Sequence, residues 1–199
     1  MCIRDSFAAL PYADVPGFIV KLKHSNAAEI TKLAFEFLVL NASRSGEVRL
    51  APKSEIDFDK ALWTIPGERM KGGREHVVPL APRSLEIARA AQVLFPDSSL
   101  LFPSPTNPEK PLSDMALTEL LRRFEIDATA HGFRSSFRDW CSEETSFPSE
   151  VAEMALAHTI KSKVEAAYRR GKLLEKRCHL MDEWSKFVLS GSCESVETV

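Results

Sequence analysis

Apolar residues repeat at helical spacing along most of this chain and switch to a shorter period over one region. Phe18, Ile19 and Leu22 predict a short amphipathic helix, entered through Val15-Pro16-Gly17 with proline near its first turn. Asn26-Ala27-Ala28-Glu29 opens a second helix, along which Ile30, Leu33, Ala34, Phe37 and Leu38 keep the period. By Leu40 it is apolar on more than one side, which predicts a central position. It ends at Asn41-Ala42-Ser43. Between 50 and 80 the pattern changes. Ile56-Asp57-Phe58, Leu62-Trp63-Thr64-Ile65 and His76-Val77-Val78-Pro79-Leu80 read as three short strands. Asp59-Lys60 is the first turn, and the basic stretch Arg69-Met70-Lys71-Gly72-Gly73-Arg74 is the second. Such a sheet is too small to stand alone and must pack on helices.

Helical spacing returns over 83–95 through Leu85, Ile87, Ala88, Ala91, Leu94 and Phe95. The five prolines within 96–112 predict a loop, and Ser113 predicts the cap of a helix reaching Phe124. Next comes His131-Gly132-Phe133-Arg134-Ser135-Ser136-Phe137-Arg138-Asp139-Trp140. Read as one helix, it buries Phe133, Phe137, Trp140 and Cys141 on one side. His131 and Arg134 then share the other face, about 60° apart. A helix from Phe147-Pro148-Ser149 ends near His158, a short one spans 161–170, and Leu173 to Leu189 is amphipathic. The expected organisation is a linker over 1–16, one domain over 17–189 and a disordered polar tail over 190–199. Met1-Cys2-Ile3-Arg4-Asp5-Ser6 fits no neighbouring pattern and is set aside as a candidate non-native scar. The fold class is α+β, mainly α, with a small three-stranded antiparallel sheet.

Composition narrows the chemistry. The chain has 199 residues, 44% of them hydrophobic, enough for a sizeable core in one or two domains. No apolar run is long enough to span a bilayer, and no secretory leader opens the chain. The four cysteines are scattered and the histidines do not sit at metal-ligand spacing beside them, so no metal is expected. A reduced, cytoplasmic setting is the default. The net charge of −2 counts modestly against nucleic acid unless cations concentrate locally. They do. Residues 161–177 hold seven Lys or Arg against two Glu, and Arg69, Lys71 and Arg74 form a second cluster.

Arg44, Lys71, His131, Arg134, His158 and Tyr168 are polar residues whose positions ask for an explanation. Singly, each has an ordinary one. Arg44 could complement a helix C-terminus, Lys71 could be a solvated turn residue, His158 could end a helix, and Tyr168 could be core beside Val164. Together they suit metal-free attack on a phosphodiester. Two guanidinium forks neutralise the non-bridging oxygens. A tyrosine hydroxyl, with ordinary pKa about 10, serves as nucleophile once a base or nearby cations assist. A lysine can protonate the leaving 5′-hydroxyl. Tyr12 lies in the linker, so Tyr168 has no competitor among the two tyrosines.

The order Arg…Lys…His-x-x-Arg…His…Tyr resembles the catalytic domain of the tyrosine recombinases, or phage integrase family. The local contexts are also similar: Asn41-Ala42-Ser43-Arg44-Ser45-Gly46-Glu47, Ile65-Pro66-Gly67-Glu68-Arg69-Met70-Lys71 with Val78-Pro79-Leu80, Ala130 to Arg138, Leu156-Ala157-His158, and Ala166-Ala167-Tyr168-Arg169-Arg170. The wording is most similar to integrases of prophages and satellite-phage-like islands, over roughly 7–189. The resemblance implies that Tyr168 forms a 3′-phosphotyrosyl link, that Arg44 and Arg134 clamp the phosphate, and that Lys71 is general acid. It implies that His131 assists proton transfer, that His158 bonds a non-bridging oxygen and that Glu47 orients Arg44. It also implies no metal and no ATP. Arg69, Arg74, Lys161, Lys163, Arg169 and Arg170 become candidate DNA-phosphate contacts, against the alternative of a solvated face. Arg138 reads as a salt-bridge or DNA-backbone residue.

The expected partner is duplex DNA at attachment sites, bound by a homotetramer with room for accessory DNA-bending or directionality factors, in a bacterial cytoplasm at the nucleoid. Trp184, Phe187 and Val188 are candidates for docking on a neighbouring subunit or for ordinary self-packing. Two departures stand out. Lys53 replaces an aromatic found in relatives, and the chain opens at the catalytic domain, without the core-binding domain that completes their DNA clamp. The alternatives are a non-catalytic DNA-binding or directionality protein, a remnant lacking its DNA clamp, and a type IB topoisomerase-like enzyme.

Overall fold

The computed structural model describes residues 8–158 and 170–192. The segment 1–6, the helix expected over 161–170 (apart from its last residue) and most of the 190–199 tail lie outside the described residues. The helices are α1 (Val15–Lys23), α2 (Glu29–Leu40), α3 (Ser45–Arg49), α4 (Pro82–Leu94), α5 (Ala116–Arg123), α6 (Phe133–Glu144), α7 (Ser149–Ala155) and α8 (Arg170–Leu189). The strands are β1 (Ile56–Asp57), β2 (Leu62–Ile65), β3 (His76–Pro79), β4 (Pro103–Ser104) and β5 (Asn107–Pro111). Among the described residues, no helix is long and apolar enough to cross a membrane.

Helix α2 is the axis of the domain. Every residue from Leu33 to Leu40 is buried, and the helix packs against α1, α3, α4, α5 and α8. Its one deeply buried charge, Glu36, is met by a fork from Arg83 on α4, at 2.8 and 3.0 Å, and by Lys23 at 3.3 Å. Pairing on that scale is what makes a buried carboxylate tolerable. Aromatic rings tie the layers together. Phe18, Phe35 and Phe133 meet with centroids 4.9–5.4 Å apart. Phe37 meets Trp63 of the sheet and Phe102 beyond it at 5.4 and 5.2 Å.

The expected sheet is present, antiparallel in the order β1-β2-β3, with Trp63 opposite Ile56 and Val78. The expected loop at 96–112 instead contains a two-stranded ribbon, β4–β5. Its prolines do not prevent this, because a two-stranded ribbon leaves outward-facing positions whose N–H is not needed. Ser113 does not cap α5 through its hydroxyl. Its carbonyl accepts the Ala116 N–H at 3.2 Å, and the helix starts there. Lys53, the residue that departs from the family's aromatic, donates to Phe95 O at 2.6 Å and Pro96 O at 3.0 Å, satisfying carbonyls just past α4.

Two further findings revise the sequence reading. The boundary expected at residue 17 falls inside α1, and the chain before it lies on the domain. Ala8 O accepts the Thr129 N–H at 2.9 Å, Leu10 O accepts from the Ser136 hydroxyl, and the Tyr12 hydroxyl lies 2.9 Å from carboxylate oxygens of both Glu143 and Glu144. A Cβ on Gly132 would stand 2.2 Å from Ala8 O, so only glycine permits this approach. The C-terminal aromatics pack on their own domain. Trp184 and Val188 are fully buried, and Trp184 donates to Val39 O at 2.9 Å while contacting Phe137, Trp140 and Phe187.

Candidate active site

Arg44 lies four residues past the end of α2. It is the residue before α3, a short helix absent from the sequence reading, with extended backbone at φ −77°. Its N–H donates to Glu47 Oε2 at 2.9 Å, and its Nη1 donates to Glu47 Oε1 at 2.6 Å. Glu47 is itself buried, so one carboxylate both caps the helix start and fixes the guanidinium. The glutamate three residues after Arg44 was the available signal for that start.

Arg134 is held differently. Its Nη1 donates to Ala42 O and its Nη2 to Leu156 O, both at 2.6 Å. Those carbonyls lie at the ends of α2 and α7. Both helices close in the same way, with Ser43 N–H returning to Leu38 O and His158 N–H to Glu153 O. Each places an alanine in the left-handed region, Ala42 at φ 46° and Ala157 at φ 51°. A guanidinium bridging two helix C-termini sits at the negative ends of both dipoles. Burial, followed by the neighbouring charge of Arg44, lowers the Arg134 pKa to about 10, leaving it charged at neutral pH.

His131 is not on the helix it was expected to share with Arg134. It stands in the turn before α6, whose first residue is Phe133, and its carbonyl accepts the Arg134 N–H at 3.1 Å. The predicted apolar face of that helix is present, since Phe133, Phe137, Trp140 and Cys141 are all buried. Gly132, the residue before α6, has helical dihedrals of φ −60° and ψ −27° and leaves no room for a Cβ against Ala8 O. The His131 imidazole is partly desolvated and lies within electrostatic reach of Arg134, Arg44, His158 and Lys71. All of these push its pKa below the ordinary histidine range. His158 Nε2 is 3.4 Å from Arg134 Nη2. Lys71 is exposed in the β2–β3 connection, beside the left-handed Gly73. Five of the six expected residues, from separate stretches of the chain, thus share one cationic neighbourhood at the positive end of α6. Tyr168 lies outside the described residues, as do Lys161, Lys163 and Arg169, and Arg170 is described only as the first residue of α8.

Arg69, expected to contact DNA phosphate, is engaged within the domain. Its guanidinium pairs with the buried Glu55 and donates to Glu47 O at 2.6 Å. It braces the Lys71 turn against the Arg44 segment. Arg74 is exposed, as a phosphate contact requires. Arg138 forms a salt bridge, its Nε donating to Glu153 Oε1 at 2.7 Å. Two neighbours were not legible in the sequence. His76 lies on β3, and burial followed by the Arg177 charge lowers its pKa to about 4. Arg177 of α8 donates to Val77 O at 2.7 Å, joining α8 to the sheet that carries Lys71.

The fold is a mainly helical domain with a small three-stranded antiparallel sheet, on which five of the six expected site residues converge. The chain belongs to the phage integrase family, whose sequence pattern matches residues 10–173. It is 32% identical to the prophage integrase IntA of Escherichia coli K12 over 184 residues, covering 92% of this chain and 44% of that protein. It is 29% identical to the integrase of Enterobacteria phage P4, covering 92% of this chain and 45% of that protein. The chain therefore spans about half the length of these relatives. Its fold matches lambda integrase (75–356) solved as a dimer on a COC′ core site, with a TM-score of 0.61 and 19% identity over 80% of this chain and 60% of that one. It also matches a lambda integrase tetramer on a Holliday junction, with a TM-score of 0.58 and 17% identity over 79% of this chain and 47% of that one.

Proposed function

We propose that the chain carries the strand-cleaving and rejoining activity of a site-specific DNA recombinase, of the kind that integrates and excises prophages or genomic islands. The observation that carries this reading is the convergence of Arg44, Lys71, His131, Arg134 and His158, with both arginines held before any ligand arrives. Clamps fixed in advance suit a phosphoryl-transfer transition state, whose charge spreads over the non-bridging oxygens. Arg44 and Arg134 take those oxygens, and His158 adds a bond to one of them. Tyr168 attacks phosphorus. The P–O5′ bond breaks as the O–P bond to tyrosine forms, and Lys71 protonates the departing 5′-oxygen. His131, its pKa held down by its surroundings, is suited to accept the Tyr168 proton. The covalent link keeps the phosphoester energy for religation to a new strand. Arg74, Lys161, Lys163, Arg169 and Arg170 contact the DNA backbone. Duplex attachment sites are the substrate, a homotetramer is the working assembly, and the bacterial cytoplasm is the setting. Lambda integrase bound to a core site and to a Holliday junction supports the partner and the assembly.

Covalent trapping tests this. The protein is incubated in EDTA with nicked duplex DNA carrying candidate attachment sequences, and adducts are read on a denaturing gel. An adduct lost in Tyr168→Phe is expected. An adduct that survives in Tyr168→Phe overturns the nucleophile, and relaxation of plasmid without strand exchange favours a topoisomerase instead.

A further inference from the structure

His158 sits between two fixed groups. On one side its Nδ1 lies 2.6 Å from Glu153 Oε2. On the other its Nε2 faces Arg134 Nη2 at 3.4 Å. Glu153 is anchored in turn, because its second oxygen accepts Arg138 Nε at 2.7 Å. Partial burial opposes the charge of Glu153. The hydrogen bonds from Arg138 and His158 outweigh it and hold the carboxyl below its ordinary range. The backbone adds a constraint, since the His158 N–H is tied to Glu153 O at 2.9 Å. Glu153 therefore grips His158 through both its main chain and its side chain.

From this geometry we infer that Glu153 is a positioning residue that fixes which nitrogen of His158 carries the proton. An ionised carboxylate only accepts, so Nδ1 must carry its hydrogen. The neutral ring then presents a bare lone pair at Nε2, toward the guanidinium of Arg134. It cannot donate to a phosphate oxygen in that form. It donates only as the imidazolium, with a hydrogen on both nitrogens. Among the described residues, Glu153 of α7 and Arg134 of α6 contact His158, His131 in the turn before α6 lies within electrostatic reach, and Arg138 of α6 holds Glu153. Glu153 thereby decides what Nε2 of His158 offers to a phosphate oxygen. A carboxylate behind an imidazole plays the same orienting part wherever the tautomer matters to catalysis. The consequence for strand cleavage rests on the function proposed above. The tautomer does not.

The test uses the 199-residue protein labelled with nitrogen-15 at histidine, with His158→Asn assigning the resonance. At a pH where His158 is neutral, long-range nitrogen–proton spectra of the wild type are expected to show the Nδ1–H tautomer. Glu153→Ala is expected to move it to Nε2–H. A wild-type ring already in the Nε2–H form overturns the inference, whatever the activity. Adduct formation on nicked DNA is the second readout. Glu153→Ala is expected to slow it by at least about tenfold, with thermal melting near that of the wild type. An unchanged adduct rate in Glu153→Ala overturns the link to cleavage. A wild type that forms no adduct, but shows the Nδ1–H tautomer, removes the recombinase reading and leaves the positioning role intact.

Discussion

Glu47 holds Arg44 by two bonds at once, and two substitutions separate them. Glu47→Gln keeps a side-chain oxygen able to accept the Arg44 N–H, now 2.9 Å away, but removes the charge opposite Nη1 at 2.6 Å. Glu47→Ala removes both. The carboxylate is 5% exposed and the Arg44 side chain 23% exposed, so solvent screens the pair weakly. Hydrogen bonds to charged groups contribute about 1.5–3 kcal/mol each, and breaking a buried pair by removing one partner costs about 3–5 kcal/mol. Arg44 keeps some solvent access, which places Glu47→Ala near the lower end, about 3 kcal/mol. At about 2–4 °C per kcal/mol for a chain of this size, melting should fall by about 6–12 °C. Glu47→Gln should cost about 1–2 kcal/mol. Both should slow covalent trapping on nicked DNA, because an untethered guanidinium must be ordered during the reaction. Urea denaturation and the trapping rate are measured together. A Glu47→Ala protein less than about 1 kcal/mol destabilised, or equal in cleavage rate to the wild type, refutes the reasoning.

Two other outcomes follow from the same site. Arg134→Lys offers one ammonium where a planar fork reaches Ala42 O and Leu156 O together. Trapping should fall by about a hundredfold or more while circular dichroism remains helical, and near-wild-type trapping would remove Arg134 from the clamp. His76 has a pKa lowered from 6.5 to about 4 in the folded protein. The unfolded chain therefore binds the extra proton between those values, and the stability present above pH 6.5 is lost as pH falls toward 4. The contribution is roughly 2–3 kcal/mol. Denaturation across that window should show this slope in the wild type and lose it in His76→Gln. An identical slope in both assigns the acid sensitivity elsewhere.

The sequence by itself determined the period of each main helix, the three-stranded sheet and the inventory of cations. Those features are local. A stripe such as Phe133, Phe137, Trp140 and Cys141 declares its buried face without reference to any partner, and Arg44, Lys71 and His158 stand out because their own neighbourhoods do not explain them. Only the tertiary structure decided what each charged group meets. Arg69 and Arg74 look alike in a basic turn, yet one is spent on Glu55 and Glu47 O and the other is exposed. His131 stands in the turn before α6, and Ala8, remote in sequence, closes on Gly132 beside it. Trp184 is buried, and Val39 O, 145 residues earlier, accepts its N–H. Periodicity records which face of a segment avoids water, whereas pairing and proton position depend on groups brought close by folding. The chemical parts were therefore legible along the chain, and their grip on one another was set by contacts between segments remote in sequence.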